Sequence, residues 1–343
     1  MATNRLAKLH ARRSDLLIKA AAMQEAYDSL PEEDPIKYAV GAMEAVPDRY
    51  TEKTLDEGNR VKAQLENGLS TQEHLPEFEY QGSVTNGTHI KFYSDIDLLV
   101  LHTHFFTVEP PGQPENLYEG DPIAELTRVR ASCSSILRSA FPKASVDDSP
   151  GKAIALAGGS LSRKVEVIVS HWWNTVEYQR TGLWYQRGVR VFDSRSNRRI
   201  KNRPFLHNEK IGKRDELLSG SLRRVARLLK SLKYDADTPV DISSYDITSL
   251  AYRMPEEMMY IEPGFELTLV ENAARFLATI LDRPDLRGAL KVPNEMRPIF
   301  GSEGASVEGL RQLYREIQDL LEEISLSLNR SLRKLKEARL PYW

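Results

Sequence analysis

Two aspartates stand at the start of an apolar run in the segment QGSVTNGTHIKFYSDIDLLV, residues 81–100. Alternate side chains of a β-strand share a face, so Asp95 and Asp97 would point the same way. The neighbouring Ile96 and Leu98 would pack inward. Adjacent carboxylates repel each other unless a cation lies between them. Hard oxygen ligands suit Mg²⁺ or Mn²⁺, which in turn suit triphosphates, so the pair predicts a divalent-metal site.

A glycine and a serine precede the aspartates in the same segment. Gly82 and Ser83 follow a predicted strand, and Gly87 follows Asn86 in a predicted turn. Glycine lets backbone N–H groups approach phosphate oxygens, and the Ser83 hydroxyl can donate one more hydrogen bond to a phosphate. Each motif alone is common in proteins. Their combination predicts a phosphate-binding loop beside a metal site.

The elements that must position these residues are short strands between helical regions. Strands are predicted at FEYQGS, SDIDLLVL, KASV, KAIAL and KVEVIVS. The basic stretch RSNRRIKNR, residues 195–203, is interpreted as a loop. Together these patterns predict a helical scaffold over residues 1–75, a catalytic core over residues 76–207 and a helical subdomain over residues 208–343.

Two helices of the C-terminal region have amphipathic patterns. SLRRVARLLKSLK, residues 221–233, would bury its leucines and valine and project Arg223, Arg227 and Lys230 together. That basic face can hold phosphates, or it can be a solvated face. A final long helix is expected to pack on the rest of the fold. Its apolar stripe comprises Leu310, Leu313, Ile317, Leu320, Ile324, Leu328, Leu332 and Leu335.

These motifs occur together in one known family. The spacing of QGSVTNGTHI and SDIDLLV resembles the G-S and D-x-D signature of the polymerase-β-like nucleotidyltransferases, especially their cGAS/DncV-like branch. Similar segments follow in family order, namely RKVEVIVSHWWNTVEYQ, RLLKSLK, ISSYDITSL and VPNEMRPIF, so the resemblance covers about residues 75–300. It implies an α/β (α+β) fold with a mixed-sheet nucleotidyltransferase core, a helical subdomain and an active site in the cleft between them.

The resemblance also implies a third carboxylate on a neighbouring strand. The best candidate is Glu166, whose neighbours Val165 and Val167 would face the core. Most relatives have aspartate here, so the longer Glu166 side chain departs from the family pattern and puts the metal geometry in question. Asp147 and Asp148 are weaker candidates. A Glu166 that faces solvent from an edge strand is the structural alternative.

The mechanism that the resemblance implies is two-metal phosphoryl transfer. Asp95, Asp97 and Glu166 would be the catalytic ligands of two Mg²⁺ (or Mn²⁺) ions. One ion, held by all three carboxylates, would activate a ribose hydroxyl. The second, held by the two aspartates, would neutralise the triphosphate and the leaving pyrophosphate.

The resemblance further implies a set of substrate-binding residues. Gly82 and Ser83 would bind phosphates of the nucleotide, and Lys230 would contact the donor triphosphate. Ser244 would contact a phosphate, while Tyr245 would lie beneath a nucleobase and stabilise it by stacking.

Composition limits the remaining possibilities. With 343 residues, of which 41% are hydrophobic and 28% charged, the chain has the composition of a globular protein. It contains no run of about 18 apolar residues and no signal-peptide pattern, so a cytoplasmic location is expected. The one cysteine, Cys133, excludes a disulfide within the chain and a cysteine-rich zinc site. His171 and His207 lack the spaced partners of a metal site.

The expected activity joins NTPs, with ATP or GTP as first candidates, into a cyclic di- or trinucleotide second messenger for bacterial antiphage (CBASS-type) signalling. The product would activate a separate effector, and an accessory regulatory protein is a further candidate partner. A formal net charge of −2 disfavours a nucleic-acid activator, and no membrane partner is expected. Two alternatives stay open: an enzyme that adds nucleotides to RNA, and a nucleotide-binding regulator whose site is disabled.

Overall fold

The chain groups into two compact units. The computed structural model describes residues 5–6, 8–9, 34–70, 76–90, 95–113 and 118–337, with side chains up to residue 329. The sheet unit comprises Val46–Lys213. The helical unit comprises Met1–Ala45 together with Arg214–Trp343.

The sheet unit is built on one mixed sheet. Its described strands are β1 Glu77–Gln81, β2 Ile96–Val108, β3 Ser145–Asp147, β4 Ile154–Ala157, β5 Val165–Asn174, β6 Gly188–Asp193 and β7 Arg198–Asn202. Their order is β1-β2-β5-β4-β3, and β6 pairs with both β5 and β7. The β2–β5 pair is parallel, whereas the other named pairs are antiparallel. This mixed sheet with its helices confirms the predicted fold class.

The helices lie before, between and after these strands. They are α1 Asp34–Met43, α2 Asp48–Leu69, α3 Pro122–Ala140, α4 Val176–Thr181, α5 Pro204–Leu217, α6 Ser221–Asp235, α7 Ser244–Arg253, α8 Leu267–Asp282, α9 Pro284–Ala289 and α10 Val307–Glu337. Within the described parts of the chain, none of the helices combines the length and the apolar character needed to cross a bilayer.

The two faces of the central strands bury different clusters. Ile96 and Leu98 of β2 are fully buried in a large cluster with side chains of α2 and α3. Leu99 and Leu101 pack in a smaller cluster with side chains of β5 and β6. Because side chains alternate along a strand, Asp97 shares the face of Leu99 and Leu101. The sequence pattern therefore places the catalytic candidates on the face away from α2 and α3.

The predicted strands are present in the structure, and one segment predicted as a loop contains a strand. β1 to β5 overlap the five segments predicted as strands, and β2 and β5 continue beyond them to Val108 and Asn174. The interpretation of residues 195–203 as a loop is wrong, because β7 pairs with β6 and places Ile200 opposite Val191. This pairing uses backbone groups, and the charged side chains of β7 give no apolar alternation from which a strand could be predicted.

The stripe predicted for the last helix is buried over most of its length. The buried members on α10 are Leu310, Leu313, Ile317, Leu320 and Ile324. Leu328 is 45% exposed, so its predicted burial is wrong and the stripe ends one turn earlier. The side chains of Leu332 and Leu335 lie outside the described residues.

Candidate active site

Two of the three predicted carboxylates belong to two adjacent parallel strands, and the third precedes one of them. In the register of β2 and β5, Asp97 lies directly across from Glu166. Asp95 stands one residue before the start of β2. On its other side Glu166 is paired with Ala155 of β4, so β5 is not an edge strand at this point. The edge-strand alternative for Glu166 is therefore excluded.

A lysine lies between two of these carboxylates. Lys164 Nζ is 2.8 Å from Asp95 Oδ2 and 2.5 Å from Glu166 Oε1. Burial opposes the charged form of Lys164, but the hydrogen bonds to Asp95 and Glu166 outweigh it and raise the pKa of the ammonium group. Sequence reasoning missed Lys164, although its position two residues before Glu166 puts both side chains on one face of the strand.

The third carboxyl, that of Asp97, is in an unfavourable place for a negative charge. Burial, followed by the nearby charges of Glu166 and Asp95, raises the pKa of Asp97 to about 8, and Lys164 acts in the opposite direction. A carboxyl group with this pKa is mostly protonated at neutral pH. Ionising all three carboxyl groups together therefore requires more positive charge than Lys164 supplies.

Gly82 lies directly against Asp97. A Cβ atom at Gly82 would stand 2.3 Å from Asp97 Oδ2, and the φ of Gly82 is +89°. Glycine is required for both reasons, because a side chain would collide with the carboxylate and would strain the backbone. The β1–β2 register pairs Gln81 with Asp97. The loop predicted to bind phosphate thus begins at the carboxylate site.

Hydrogen bonds fix the conformation of this loop. The backbone N–H of Thr88 donates to the carbonyl of Ser83 at 3.1 Å. From α5, Asn208 Nδ2 donates to Thr85 Oγ1 at 2.8 Å. The sequence gives no indication of the Asn208 contact, because α5 follows the loop by more than a hundred residues. Residues 91–94 of the predicted motif lie outside the described residues.

The weaker carboxylate candidates have structural roles at the end of the sheet. Asp147 Oδ1 accepts a hydrogen bond from the backbone of Ser149 at 2.9 Å. Asp148 Oδ2 accepts hydrogen bonds from Ser134 at 2.6 Å and Arg138 at 2.9 Å. β3 is separated from β5 by β4, a distance of about 10 Å. Asp147 pairs with Ala155, which pairs with Glu166, so Asp147 shares the sheet face of the three carboxylates but lies two strands away from Glu166.

In the helical unit, α6 positions the predicted basic residues. The prediction of an open basic face is wrong for Arg227 and Lys230, which are only 6% and 2% exposed. Arg227 Nε donates to the carbonyl of Met43 at 2.8 Å, which explains its inward direction. Burial, followed by nearby positive charges, lowers the pKa of Lys230 to about 7. Arg223 is half-buried and pairs with Asp215 at 2.9 Å.

Ser244 and Tyr245, predicted to contact a phosphate and to stack on a base respectively, begin α7 in the same unit. The hydroxyl oxygens of Ser244 and Tyr234 are 3.2 Å apart. The guanidinium of Arg297 lies over the ring of Tyr245, 5.3 Å from its centroid, and pairs with Asp246 at 2.7 Å. Burial raises the pKa of Tyr245 to about 12. Arg297, in the VPNEMRPIF segment, was not among the predicted site residues.

Neighbouring carboxylates on parallel strands, with a glycine-led loop against them, define a site of the nucleotidyltransferase class. No protein-family model matches the sequence. The chain is 36% identical over 283 residues to the cyclic dinucleotide synthase CdnE of Yersinia aleksiciae, covering 80% of this chain and 73% of that relative. It is 29% identical over 280 residues to a c-di-GMP synthase of Lachnospiraceae bacterium (strain RUG226), covering 74% of this chain and 79% of that relative.

A solved structure agrees with these sequence matches. The STING-associated CdnE c-di-GMP synthase of Capnocytophaga granulosa superposes with a TM-score of 0.75 at 26% identity, covering 94% of this chain and 97% of that one. The chain therefore belongs to the cGAS/DncV-like nucleotidyltransferases, the family of cyclic oligonucleotide synthases that includes CdnE. The predicted resemblance and the predicted enzyme class are confirmed.

Enzymes of this family depend on metal ions, and the described residues fit that requirement. Asp95, Asp97 and Glu166 offer only oxygen ligands, which Mg²⁺ and Mn²⁺ prefer. The bridging ammonium of Lys164 and the raised pKa of Asp97 both indicate an excess of negative charge here. Gly82 leaves the space that the Asp97 carboxylate needs.

Proposed function

We propose that this enzyme joins two NTPs into a cyclic dinucleotide, with GTP as the first candidate substrate. The proposal rests on the Asp97–Glu166 register, with Asp95 linked to Glu166 through Lys164. GTP is placed first because two of the relatives, at 29% and 26% identity, are c-di-GMP synthases. ATP remains the second candidate.

The reaction forms two phosphodiester bonds. In each step a ribose hydroxyl oxygen bonds to the α-phosphorus of an NTP, the bond from that phosphorus to pyrophosphate breaks, and the hydroxyl proton is released. The second step closes the ring. Two NTPs therefore yield one cyclic dinucleotide and two pyrophosphates, and the product has no terminal phosphate.

Three carboxylates carry the proposed metal-binding role. Asp95 and Asp97 would hold both of two Mg²⁺ (or Mn²⁺) ions, and Glu166 would complete the ligand set of one. When bound, these ions would lower the pKa of the attacking hydroxyl and neutralise the departing pyrophosphate. The alternation of β2 and β5 holds Asp97 and Glu166 on one face, so the sheet sets these two positions, and Asp95 stands one residue before β2.

Other residues are proposed to bind the nucleotides. The backbone at Gly82 and the Ser83 hydroxyl would donate hydrogen bonds to phosphate oxygens. Lys230 and Ser244 are proposed phosphate ligands. Tyr245 would stack on a base, which is worth about 1–3 kcal/mol.

The proposed biological setting is bacterial antiphage signalling of the CBASS type. The product would activate a separate effector, as the STING association of the relative from Capnocytophaga granulosa suggests. An accessory regulatory protein is a further proposed partner, because a structural neighbour with 13% identity, E. coli CdnC, is known in complex with a HORMA protein.

Labelled nucleotides test the proposal directly. The purified chain would be incubated with the four NTPs and Mg²⁺ or Mn²⁺, one nucleotide labelled at a time, and then with phosphatase. We expect a phosphatase-resistant product that contains guanine and is absent from the Asp95→Asn/Asp97→Asn double variant. Asp282→Asn, which removes an exposed carboxylate at the end of α8, should leave the product unchanged. Products that lose a terminal triphosphate on phosphatase treatment would favour the linear, RNA-extending alternative, and tight GTP binding without any product would favour the disabled regulator.

A further inference from the structure

Two histidines and a glutamate form a cluster elsewhere in the sheet unit. His102 and His104 belong to β2 and Glu125 to α3, and their potential ligand atoms all lie within 4.8 Å of one another. The β2 backbone extends about 16 Å from Asp97 to His102. Alternation along β2 also puts His102 on the face opposite Asp97, where α3 packs. This cluster is separate from the carboxylates of the active site.

The pairing of β2 with β5 is irregular at this cluster, as at a β-bulge. The register of β2 with β5 is regular up to His102 and resumes only at Thr107. Bulges redirect side chains and are frequent beside functional sites. Here Phe105 returns to the core, whereas His104 is exposed and His102 is 2% exposed. The cluster therefore extends from the interior of the unit to its surface.

The neighbours of Glu125 orient its carboxylate towards His102. Glu125 Oε2 accepts hydrogen bonds from the Tyr118 hydroxyl at 3.4 Å and from Arg128. The other oxygen, Oε1, faces His102 Nε2 at 3.8 Å. Hydrogen bonds of this kind hold ligating carboxylates in position in metal sites. Glu125 is nearly buried, at 7% exposure, which limits its other orientations.

We infer that His102, His104 and Glu125 bind a divalent transition metal, represented by Zn²⁺, and connect β2 to α3 through it. Two imidazoles and one carboxylate are a common zinc ligand set, whereas Mg²⁺ prefers oxygen ligands alone. Bonds of about 2.1 Å place tetrahedral ligand atoms about 3.4 Å apart, close to the 3.8 Å between His102 and Glu125. Because His104 is exposed, the fourth coordination position of the metal would be open to water.

This inference is independent of the proposed function, and its test avoids the catalytic metals. The tag-free, full-length Asp95→Asn/Asp97→Asn variant would be stripped with EDTA, and Zn²⁺ binding would be measured by titration calorimetry. We expect about one Zn²⁺ per chain. Adding His104→Ala should weaken binding at least tenfold without changing the circular dichroism spectrum, because His104 is exposed. Glu125→Gln should weaken it as well.

A matched control and a second measurement complete the test. His74→Ala removes a histidine from a different part of the sequence and should leave Zn²⁺ affinity unchanged. Zn²⁺ should raise the unfolding temperature of the parent variant more than that of the His104→Ala variant, because the loss of one of the three ligands weakens binding to the folded state. Absence of stoichiometric Zn²⁺ binding to the parent, or equal affinity in the His104→Ala variant, would overturn the inference.

Discussion

Among the proposed metal ligands, Asp97 has the environment that differs most from that of an aspartate side chain in water. Burial and two neighbouring carboxylates raise its pKa to about 8, far above the ordinary value for aspartate. Its charged form thus destabilises the metal-free chain and becomes favourable only when a cation is bound. Activity and metal-free stability should therefore respond to its removal in opposite directions.

Asp97→Asn is expected to lower activity by about a thousandfold or more, because loss of a metal ligand removes several kcal/mol of transition-state stabilisation. The same change should raise the unfolding temperature in EDTA at pH 8. The pKa of the Asp97 carboxyl is higher in the folded chain than in the unfolded chain. The folded state therefore keeps a proton that the unfolded state loses, and wild-type stability falls as pH rises from about 4 to 8. Asparagine does not titrate.

Pyrophosphate release and thermal unfolding at several pH values measure both effects. Asp282→Asn is the control, because this exposed carboxylate at the end of α8 lies outside the proposed site and should change neither quantity much. An Asp97→Asn variant that keeps full activity would contradict its assignment as a metal ligand. A variant whose metal-free unfolding temperature falls at pH 8 would contradict the unfavourable charge.

Lys164 occupies the position between Asp95 and Glu166 that a bound cation would contest. We expect Lys164→Met to lower severalfold the Mg²⁺ concentration that gives half-maximal activity, because the competing ammonium is removed. Lys143→Met serves as a control for the loss of one positive charge. A higher Mg²⁺ requirement in Lys164→Met would show instead that the ammonium organises the carboxylates for metal binding.

Lys230 has a pKa lowered to about 7, with burial as the main cause. If its ammonium binds the triphosphate, affinity should fall as pH rises above 7, by up to about tenfold per pH unit. ATP binding to the Asp97→Asn variant, which neither turns over nor titrates at Asp97, would be measured from pH 7.5 to 9.5. Adding Lys230→Arg should flatten this dependence, since arginine stays charged. A flat profile with Lys230 present would argue against the assigned role.

At the scale of elements, the turn after β1 must bring its backbone against Asp97. Gly82→Ala is expected to destabilise the chain by about 1–2 kcal/mol through its left-handed φ and, in addition, to lower activity strongly by displacing Asp97. Gly158→Ala is the matched control, because Gly158 has a φ of +77° but nothing within 4 Å of an added Cβ. Both variants should lose stability, but only Gly82→Ala should lose more activity than its lower stability explains. Equal activities at a temperature where both are folded would contradict the contact.

The elements also show what the sequence could predict. β2 and β5 were predicted because apolar residues alternate with polar ones, and the two aspartates were placed on one face for the same reason. The pairing of Asp97 with Glu166 could not be deduced, since strand order and register depend on contacts between distant segments. β7 was missed because its side chains are mostly charged although its backbone pairs with β6.

The same limit applies to residues that helices bring to a strand. Glu125 joins His102 and His104 only because α3 packs on that face of the sheet, and Asn208 reaches the Gly82 loop only through α5. Helical spacing shows which residues share one side of a helix, but it does not show which other element packs on that side. For this reason Arg227 was expected on an open face. Its bond to the Met43 carbonyl depends on a helix near the other end of the sequence.

For the whole molecule, the central claim is that two nucleotides become a ring. Each NTP incorporated into a ring must release one pyrophosphate, whereas a linear dinucleotide releases one pyrophosphate for two nucleotides and keeps a terminal triphosphate. The ratio of pyrophosphate to nucleotide incorporated thus separates a ring from a linear dinucleotide, whatever the bases and the linkage of the product. Resistance to phosphatase then separates a ring from longer chains made from NTPs alone, which keep a terminal triphosphate.

The decisive measurement is this ratio for the full chain with GTP alone, then GTP with ATP, in Mg²⁺ and in Mn²⁺. The three-carboxylate site and the family predict one pyrophosphate per nucleotide in a phosphatase-resistant product, and no release from the Asp95→Asn/Asp97→Asn variant. A ratio near one half with a phosphatase-sensitive product, or undiminished release from the double variant, would contradict the account.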